Sequence, residues 1–437
     1  MKNKILIIGS GAREHAIAKS LDKSHHKKEL FCLASNLNPG IANICKEIVV
    51  DNINDPNIVK NYAQKVNATF AIIGPENPLE NGVSDTLWNH NIPVVGPKKN
   101  MAKIETSKVF TRNLQKKYNI PGAPKYKFFK TLDGLKNTLK NFGNNYVVKY
   151  DGLAGGKGVK VSGDHLKNHA EALEYCKKLI KKNGTFIIEE KFIGEEFSLM
   201  SFCDGKKIKH MPAVQDHKRA YEGDLGPNTG GMGTYSDSNH SLPFLNKTDI
   251  EKAQEINKKT VAALKNHFNE EYKGILYGGF IATTDGIKLI EYNARFGDPE
   301  VMNVLSILKS DFIDVCKNII NGSLNKFNIE FENKATVCKY SVPKGYPDKP
   351  VKNMPINVSK IKNNDLLFYA SVDMKNGTLI ESGSRTIAVV GKANSIFNAE
   401  KIAEKEICSI SGPLFHRKDI GTKSIIEKRI SHMKSLR

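Results

Sequence analysis

Residues 291–300 read EYNARFGDPE, the most informative stretch of this sequence. Ahead of it, residues 275–284 and 287–292 read as two strands. Asp285 and Gly286 lie between them, which is a strong signal for a hairpin turn. We therefore predict an antiparallel hairpin whose second strand runs into a polar segment at the edge of a sheet.

That polar segment has the residue types of a metal and phosphate site. Side chains two positions apart on a strand point to the same face, so Glu291 and Asn293 are expected to look the same way. Two hard oxygen ligands suit Mg²⁺, which prefers one or two oxygen side chains together with phosphate oxygens and water. Arg295 follows as a planar cation that fits a phosphoryl or carboxylate group. Taken alone, the same residues fit a surface hairpin with a charged end equally well.

The composition indicates a soluble, multidomain protein. A chain of 437 residues is long enough for about three domains. No stretch approaches the roughly 18 uninterrupted apolar residues of a membrane helix, and the first ten residues read as a strand rather than a signal peptide. Seven cysteines without a C-x-x-C pair predict free thiols in a reducing cytoplasm.

The formal net charge of +20 raises the possibility of a nucleic-acid-binding protein. Only eight of the 66 basic residues are arginine, and the lysines are scattered without an aromatic-interleaved stripe. A compositional bias toward Lys and Asn is the simpler account, and we predict no nucleic-acid partner. Five of the arginines lie in candidate motifs, which suggests bidentate recognition of anions; they are Arg13, Arg219, Arg295, Arg385 and Arg417.

The order of predicted elements gives a multidomain α/β and α+β protein. Residues 4–100 alternate strand and helix, which predicts a parallel sheet with helices on both faces. A small α+β insert, a larger mixed sheet and a strand-rich tail with one helix near residues 395–409 follow. Residues 100–118 and 299–321 each read as a single helix. The predicted ranges are 1–102 for the N-terminal domain, 103–124 with 191–328 for the central domain, 125–190 for the insert and 329–437 for the C-terminal domain.

The first glycine loop, residues 9–15, reads GSGAREH between a strand and a helix. It lacks the third glycine of a dinucleotide fingerprint, because Glu14 stands there, and no acidic residue ends the second strand. NAD binding is therefore not expected. The helix N-terminus with Arg13 suits a sugar phosphate, although a tight turn that needs glycine for backbone reasons alone is the alternative.

The second glycine loop, residues 151–158, reads DGLAGGKG. It is not a P-loop, because Gly158 replaces the metal-binding Ser or Thr and a strand follows. We interpret it as a flap over a nucleotide triphosphate, in which Lys157 and backbone N–H groups meet the phosphates and Lys149 reaches them from the preceding strand. An ordinary hairpin turn would not need four glycines.

A third polar segment lies between residues 215 and 233, with QDHKR followed by GPNTGGMG. Such density of glycine and charge inside a sheet domain is typical of a binding loop. A solvated surface loop is the alternative interpretation.

The motifs together resemble a known family. A glycine flap, a flanking lysine and a later Glu-x-Asn pair are the parts of the ATP-grasp superfamily. Seven segments in order resemble the phosphoribosylamine–glycine ligase family, from the first strand to about residue 421. They are GxGxREH at the start, Gly74-Pro75-Glu76, DGLAGGKGV, DHKR, GPNTGGMG, NxRFGDPE and RKDIG at residues 417–421.

This resemblance implies an activity and a fold. It implies a pre-ATP-grasp N-terminal domain, an ATP-grasp central domain with a small lid, and a strand-rich C-terminal domain. It implies that ATP, glycine and 5-phosphoribosylamine give ADP, phosphate and glycinamide ribonucleotide through a glycyl phosphate, with Mg²⁺ or Mn²⁺ as cofactor. No protein nucleophile is needed, since positioning and charge neutralisation carry such phosphoryl transfers.

The resemblance also implies roles for individual residues. Glu291 and Asn293 would hold the metal, while Arg295, Lys218 and Asp216 would act at the reacting groups. The ATP site would comprise Lys108, Lys149, Gly155, Gly156, Lys157, Glu189, Glu190, Phe192 and Glu196. The substrates would be bound by Gly11, Arg13, Glu14, Glu76, Asp216, Lys218, Arg295 and Asp298.

The sequence departs from the family pattern at a few positions, and rival functions stay open. Ser10, Ala12, residues 36–38 and Ser384 differ from the expected residues, which bears on the sugar-phosphate contacts and a tail loop. The rivals are another ATP-grasp carboxylate–amine ligase, a basic nucleic-acid-binding protein and an inactive relative. We expect a cytoplasmic monomer or weak dimer with small-molecule substrates only.

Overall fold

The computed structural model describes residues 2–155, 158–182 and 184–437. In these ranges the helices are α1 (Ala12–Asp22), α2 (Pro39–Ala42), α3 (Pro56–Lys65), α4 (Glu76–Glu80), α5 (Val83–Asn89), α6 (Lys99–Thr106), α7 (Lys108–Lys117), α8 (Leu135–Phe142), α9 (His169–Lys181), α10 (Lys247–Phe268), α11 (Glu300–Leu305), α12 (Phe312–Asn321), α13 (Ile396–Ile407) and α14 (Lys423–Leu436).

The strands of the same ranges are β1 (Asn3–Ile8), β2 (Lys28–Ala34), β3 (Glu47–Val50), β4 (Phe70–Ile73), β5 (Val94–Val95), β6 (Tyr126–Phe129), β7 (Tyr146–Tyr150), β8 (Val159–Val161), β9 (Phe186–Glu190), β10 (Glu195–Asp204), β11 (Ile208–His210), β12 (Gln215–Asp216), β13 (Arg219–Tyr221), β14 (Leu225–Asn228), β15 (Gly233–Ser236), β16 (Lys273–Thr283), β17 (Gly286–Asn293), β18 (Ala335–Pro343), β19 (Leu367–Tyr369), β20 (Val372–Lys375), β21 (Thr378–Glu381), β22 (Ile387–Ala393) and β23 (Leu414–Phe415).

The N-terminal part is the predicted parallel sheet, in the order β3-β2-β1-β4-β5. Its central strand β1 is fully buried over residues 5–8, because helices cover both faces and a buried parallel strand is apolar throughout. The loops after β1 and β4 lie at the carboxyl edge of neighbouring strands. This edge is where open α/β sheets bind ligands.

The central sheet is antiparallel, in the order β11-β10-β16-β17. The predicted hairpin is confirmed, since β16 and β17 pair and Gly286 has φ +91° at the turn. Helix α10 packs against the sheet, and Tyr292 of β17 meets Thr260 of α10 with their hydroxyl oxygens 2.8 Å apart.

The insert forms a sheet of its own, in the order β6-β9-β7-β8, with α8 and α9 packed on it. Its buried side chains make a hydrophobic cluster separate from the main core of the protein, with Phe129, Leu139, Tyr146 and Phe186 among its members. A unit with its own core can move as a body relative to the rest of the chain.

The C-terminal sheet has the order β12-β15-β18-β22-β19, and β23 pairs with β18. Two of these strands, β12 and β15, come from the segment before residue 329 that the sequence assigned to the central sheet. Residues 233–236 pair with residues 336–339. The polar segment at 215–233 is therefore held between the central and the C-terminal sheets.

Two expected helices are each divided in two. Residues 100–118 form α6 and α7, because Ser107 leaves the helical conformation and its side chain accepts a bond from Phe110 N at 3.0 Å. Residues 299–321 form α11 and α12, because Asp311 caps the second helix in the same way. Both single-helix predictions are wrong for this reason, and the tail ends in α14, a second helix that was not predicted.

The C-terminal part also packs on the N-terminal part. Tyr369 N donates to His15 Nδ1 at 2.9 Å, and the two rings stack with centroids 5.6 Å apart. Asn38 donates to both Ser10 O and Tyr369 O at 2.9 Å. Ser10, which departs from the family pattern, and Asn38, the last residue of the segment 36–38 that replaces an expected Pro-Gly-Asn turn, thus take part in this contact. None of the described helices has the length and apolar character needed to cross a membrane.

Candidate active site

A β-bulge in β17 points Glu291 out of the core. Gly279 of β16 pairs with Glu291, whereas Phe280 pairs with Leu289, so Ile290 has no partner of its own. Ile287 and Leu289 are buried before the bulge, and Tyr292 is buried after it. In a regular strand Glu291 would share the face of Leu289, so the extra residue moves Glu291 and Asn293 to the other face.

Glu291 faces a group of lysines. A small cavity is lined by Glu291, Ile290, Tyr277, Asp216, Lys218 and Glu196. Burial alone would raise the pKa of the Glu291 carboxyl, but the charges of Lys218, Lys149 and Lys108 outweigh it and lower the pKa below its ordinary value. Glu291 is therefore ionised at neutral pH and can act as an anionic ligand.

Asn293 is oriented by a buried carboxylate, Glu105 of α6. With its amide nitrogen turned toward that carboxylate, Asn293 donates to Glu105 Oε1 and to Tyr292 O, both at 3.1 Å. The amide oxygen is then the atom that Asn293 offers to a cation. The donor set of Glu291 and Asn293 thus consists of two hard oxygens, which fits Mg²⁺ or Mn²⁺.

Arg295 lies at the junction of the N-terminal and central parts. Its guanidinium contacts Glu105 Oε1 at 3.0 Å through Nη2 and Glu76 Oε2 at 3.4 Å through Nε. Burial would raise the pKa of Glu76, but Arg295 and Arg13 outweigh it and lower the pKa. Burial raises the pKa of Glu105, and the charge of Arg295 only partly opposes it.

The first glycine loop meets Arg295. Arg13 and Arg295 both donate to Phe296 O, at 3.5 and 3.0 Å. Glu14 accepts from Gly11 N and from Arg13 Nε, both at 2.6 Å. The structure therefore brings together Gly11, Arg13, Glu14 and Glu76, which the sequence placed in the substrate site.

The second glycine loop is tied to the start of α7. Lys108 Nζ donates to Gly152 O at 2.6 Å, and Asp151 accepts from Val109 N at 3.1 Å. Burial lowers the pKa of the Lys108 amine, and Glu291 opposes this. Gly155 has φ +52° with open space around it, which leaves room for a ligand. Gly156 and Lys157, which we assigned to the phosphates, lie outside the described residues.

Lys149 belongs to a buried ion triad. Its Nζ lies 2.7 Å from Glu189 Oε2 and donates to Ile290 O at 3.0 Å. Arg112 holds the same carboxylate through Nε at 2.6 Å and Nη2 at 3.1 Å. The side chain of Glu189 therefore faces inward and holds Lys149. Only the backbone of Glu189 is available to contact a nucleotide base.

The remaining residues assigned to the nucleotide surround the start of β10. Glu190 Oε2 accepts from Lys125 N at 3.1 Å, and Phe192 is half-buried in the connection to β10. Glu196 is exposed and its Oε2 lies 3.0 Å from Lys218 Nζ. This pair raises the pKa of Lys218, so the ammonium stays charged.

Asp216 and Glu300 of α11 form a pair of neighbouring carboxylates. Asp216 Oδ1 is buried and has no hydrogen-bond partner among the described residues. Burial and the neighbouring Glu300 carboxylate raise the pKa of Asp216 well above its ordinary value. Glu300 accepts from Tyr277 Oη at 2.9 Å. An orphaned buried carboxylate of this kind suits a ligand that carries hydrogen-bond donors.

Asp298 is engaged by the C-terminal part. Its Oδ1 accepts from Tyr340 Oη at 2.8 Å and lies 3.2 Å from Arg385 Nη1. The same guanidinium donates to Gly230 O at 2.7 Å. The Arg385 guanidinium thus links Asp298 to the glycine segment before β15.

Sequence reasoning missed three charged residues of the site. Glu105, Arg112 and Glu300 lie on helices that read as ordinary amphipathic segments. Glu105 contacts Arg295 and Arg112 contacts Glu189, both predicted site residues from distant parts of the chain. Glu300 accepts from Tyr277 and lies beside the predicted residue Asp216. Arg112 carried a signal, since it is one of only eight arginines. Glu300 ends the stretch 291–300, but the sequence analysis assigns no role to it.

Comparison with protein families identifies the three parts of the chain. Residues 3–105 match the N domain of phosphoribosylglycinamide synthetase, residues 106–301 its ATP-grasp (A) domain and residues 336–423 its C domain. Together these ranges cover most of the chain.

Individual relatives are similar over their whole length. The phosphoribosylamine–glycine ligase of Methanococcus vannielii is 53% identical over 99% of this chain and 100% of its own length. That of Methanosarcina barkeri is 49% identical with the same coverage.

Solved structures have the same architecture. The phosphoribosylamine–glycine ligase of Thermotoga maritima superposes with a TM-score of 0.81 at 28% identity, covering 95% of this chain and 100% of its own. A biotin carboxylase domain from Hydrogenobacter thermophilus, solved with MgADP, has a TM-score of 0.72 at 14% identity, covering 99% and 94%. At that identity the second likeness concerns the fold alone.

Proposed function

Because the chain belongs to the phosphoribosylglycinamide synthetase family, we propose that its cleft joins glycine to 5-phosphoribosylamine through a glycyl phosphate. The protein is an ATP-dependent carbon–nitrogen ligase of purine biosynthesis, and its products are glycinamide ribonucleotide, ADP and phosphate. One observation carries the residue assignments. The carboxylate of Glu291 is turned by the Ile290 bulge toward Lys218, Lys149 and Lys108.

The reaction needs an activated carboxylate. An oxygen of the glycine carboxylate attacks the γ-phosphorus of ATP, the bond to the β-phosphate oxygen breaks, and ADP leaves. The amine nitrogen of phosphoribosylamine then attacks the carbonyl carbon, phosphate leaves and the nitrogen loses a proton. Such transfers are catalysed by positioning and by neutralising charge.

Glu291 and Asn293 would hold the divalent cation, which is Mg²⁺ or Mn²⁺. When bound with ATP, the cation neutralises charge on the β- and γ-phosphates. The surrounding lysines repel a lone cation, so the site favours a metal that arrives together with the negative charge of a nucleotide. The use of ATP and of a divalent metal agrees with membership of this family.

The lysines and the insert would bind the nucleotide. Lys108 donates to Gly152 O of the glycine loop, and Lys149 lies in the strand before it. These two lysines would meet the phosphates together with Gly155, Gly156 and Lys157. We propose that residues 125–190 act as a lid, and that backbone groups of residues 189–192 meet adenine. Glu196 would accept from ribose hydroxyls, with Lys218 as its partner.

The two other substrates would enter from the N-terminal edge. Gly11, Arg13, Glu14 and Glu76 form the predicted phosphoribosylamine site, where the N-terminus of α1 favours an anion. Arg295 stands between this site and Glu291, so it would stabilise the transferring phosphoryl group or the glycine carboxylate. The orphaned oxygen of Asp216 would accept from an amine.

The proposed context of the enzyme follows from its surface and its thiols. All seven cysteines are free, and six of them are at least half-buried, which agrees with a reducing cytoplasm. We propose a monomer or weak dimer that acts on small molecules. The positive charge would give only weak, salt-sensitive binding to nucleic acid.

A coupled assay of ADP release tests the proposal. Wild-type enzyme with Mg²⁺ and ATP is assayed with phosphoribosylamine and a panel of amino acids. We expect turnover with glycine only. Glu291→Gln should lose most of its turnover, while Glu251→Gln on the exposed face of α10 is the matched control and should be normal. Release with another amino acid or another amine would favour a different ligase.

A further inference from the structure

The active-site residue Lys218 lies at the base of a hairpin, which we call the Asp224 hairpin and which consists of β13, β14 and their connection. Lys218 O accepts from both Thr229 N at 2.7 Å and Thr229 Oγ1 at 2.9 Å, which closes the base. The two strands pair from Arg219 to Asn228. The position of Lys218 is therefore coupled to the position of the hairpin.

The tip of the hairpin is held by two arginines of the C-terminal tail. Asp224 has φ +63°, a conformation that non-glycine residues adopt only with local support. Its Oδ1 accepts from Arg417 Nη1 at 3.0 Å, and its Oδ2 accepts from Arg429 Nη2 at 2.5 Å. Arg417 is 1% exposed and is itself held by Asp419, at 2.9 and 2.7 Å.

The same tail holds the strand that carries Glu196. The neighbouring residue Glu195 is nearly buried; its Oε1 lies 2.6 Å from His432 Nδ1, and its Oε2 lies 3.3 Å from Arg429 Nε. Glu195 begins β10, which pairs with β16 in the central sheet. Arg429 of α14 therefore contacts both the hairpin of Lys218 and the strand of Glu196.

We propose that Arg417 and Arg429 are positioning residues, which hold Lys218 and Glu196 as a pair opposite Glu291. This proposal rests on the proposed function, in which that pair meets the nucleotide. Without the two guanidinium groups, Asp224 and Glu195 would be neighbouring carboxylates that repel each other, and the hairpin would lose its tie to β10. The motif at residues 417–421 thereby acquires a role, as does α14, which extends beyond the part matched by the C domain.

The test compares Arg429 of α14 with Arg437, the residue that follows this helix. Arg429→Gln removes the tie to Asp224 and Glu195. Arg437→Gln is the matched control, because Arg437 makes a two-bond ion pair with Asp249 of α10 at 2.8 and 2.9 Å, away from the hairpin. Steady-state kinetics for all three substrates and melting temperatures are measured for each variant. His432→Ala is a milder second variant, should Arg429→Gln fold poorly.

We expect kcat of Arg429→Gln to fall at least tenfold relative to Arg437→Gln at a similar melting temperature. Arg429→Lys should recover part of the loss, since it keeps one charge. The double variant Asp224→Asn, Arg429→Gln should lose no more than its worse single variant. Values of kcat and KM within twofold of the control, or equal losses in both arginine variants, would overturn the proposal. The proposed function is tested separately, by whether turnover of the wild-type enzyme requires both glycine and phosphoribosylamine.

Discussion

At the scale of single residues, the site contains many buried charged side chains, and most of them contact more than one partner. Lys218 keeps Glu196, Lys149 keeps Glu189 and Lys108 keeps Gly152 O when Glu291 is changed. Removing the Glu291 carboxylate therefore leaves none of these ammonium groups without a partner. Function and stability can be separated at this position.

We predict that Glu291→Gln lowers kcat by about 10²–10³-fold, the scale expected for one lost electrostatic contact to a transition state. Its melting temperature should stay close to that of the wild type. Steady-state kinetics at saturating Mg²⁺ and thermal denaturation followed by circular dichroism provide the measurements. Near-normal kcat would contradict the metal role.

Arg295→Lys should fail for a different reason, because an ammonium cannot replace a planar fork. Arg295 joins Glu76, Glu105 and Phe296 O, and a lysine would leave at least one of them unpaired. We expect kcat/KM for glycine to fall by about 10²-fold, with some loss of stability because Glu105 is buried. Full activity in this variant would mean that the fork is not used.

At the scale of elements, the buried triad ties three segments together. Arg112 of α7 and Lys149 of β7 hold Glu189 of β9, and both cations also donate to Ile290 O in the bulge. Burial alone would raise the pKa of Glu189, but Arg112 and Lys149 outweigh it and lower the pKa to about 2. The triad is therefore a source of acid sensitivity.

The sign of that sensitivity follows from linkage. The folded pKa lies below the unfolded pKa, so the unfolded chain binds more protons, and stability is lost as pH falls from about 4.5 toward 2. A shift of this size corresponds to about 3 kcal/mol. Glu189→Gln should be less stable at pH 7 and should show a shallower loss between pH 5 and 3. Urea titrations across that range measure the slope, and parallel slopes for both proteins would refute the assignment.

The bulge makes a second prediction for an element. Deleting Ile290 would restore regular pairing and turn Glu291 and Asn293 toward the core, because a one-residue shift exchanges the two faces of a strand. We expect loss of activity and of thermal stability. Ile290→Ala keeps the backbone bulge and its carbonyl, so it should retain most of the activity. An active deletion variant would show that the bulge does not orient the site.

At the scale of the whole molecule, the site forms where three sheets meet. Its residues come from the parallel N-terminal sheet, the central antiparallel sheet and the C-terminal sheet, which contributes Asp216 through β12. The insert, which we propose as a lid, contributes the glycine loop from a fourth sheet. Ligands should therefore stabilise the entire protein rather than a single part.

We predict that MgCl₂ alone leaves the melting temperature almost unchanged, because lysines surround Glu291 of the proposed metal site. ADP with Mg²⁺ should raise it, since a ligand at 100 times its Kd adds about 2.7 kcal/mol of stability. Differential scanning fluorimetry with wild type and Glu291→Gln compares the two cases, and the variant should show a smaller increase. A large shift with Mg²⁺ alone would contradict this description of the site.

Much of the architecture could be derived from the sequence by itself, because it rests on local patterns. The alternation of residues 4–100, the turn at Gly286 and the order of seven motifs identified the parallel sheet, the hairpin and the family. Glu291, Asn293 and Arg295 could be proposed as site residues from the sequence because they lie within one short stretch. Ser107 and Asp311 are residue types that cap helices, but the segments that contain them read as single helices. In the structure each of these segments forms two helices.

The tertiary structure alone decided which way these residues face and what they touch. The bulge at Ile290 depends on pairing with a neighbouring strand, and Glu105 and Arg112 contact site residues from segments far away in the chain. Strands β12 and β15 joined the C-terminal sheet because β15 pairs with β18, which lies far later in the chain. Hydrophobic periodicity and secondary-structure propensity describe a segment and its near neighbours in the sequence. Ion pairs and strand pairing depend instead on which distant segments pack together.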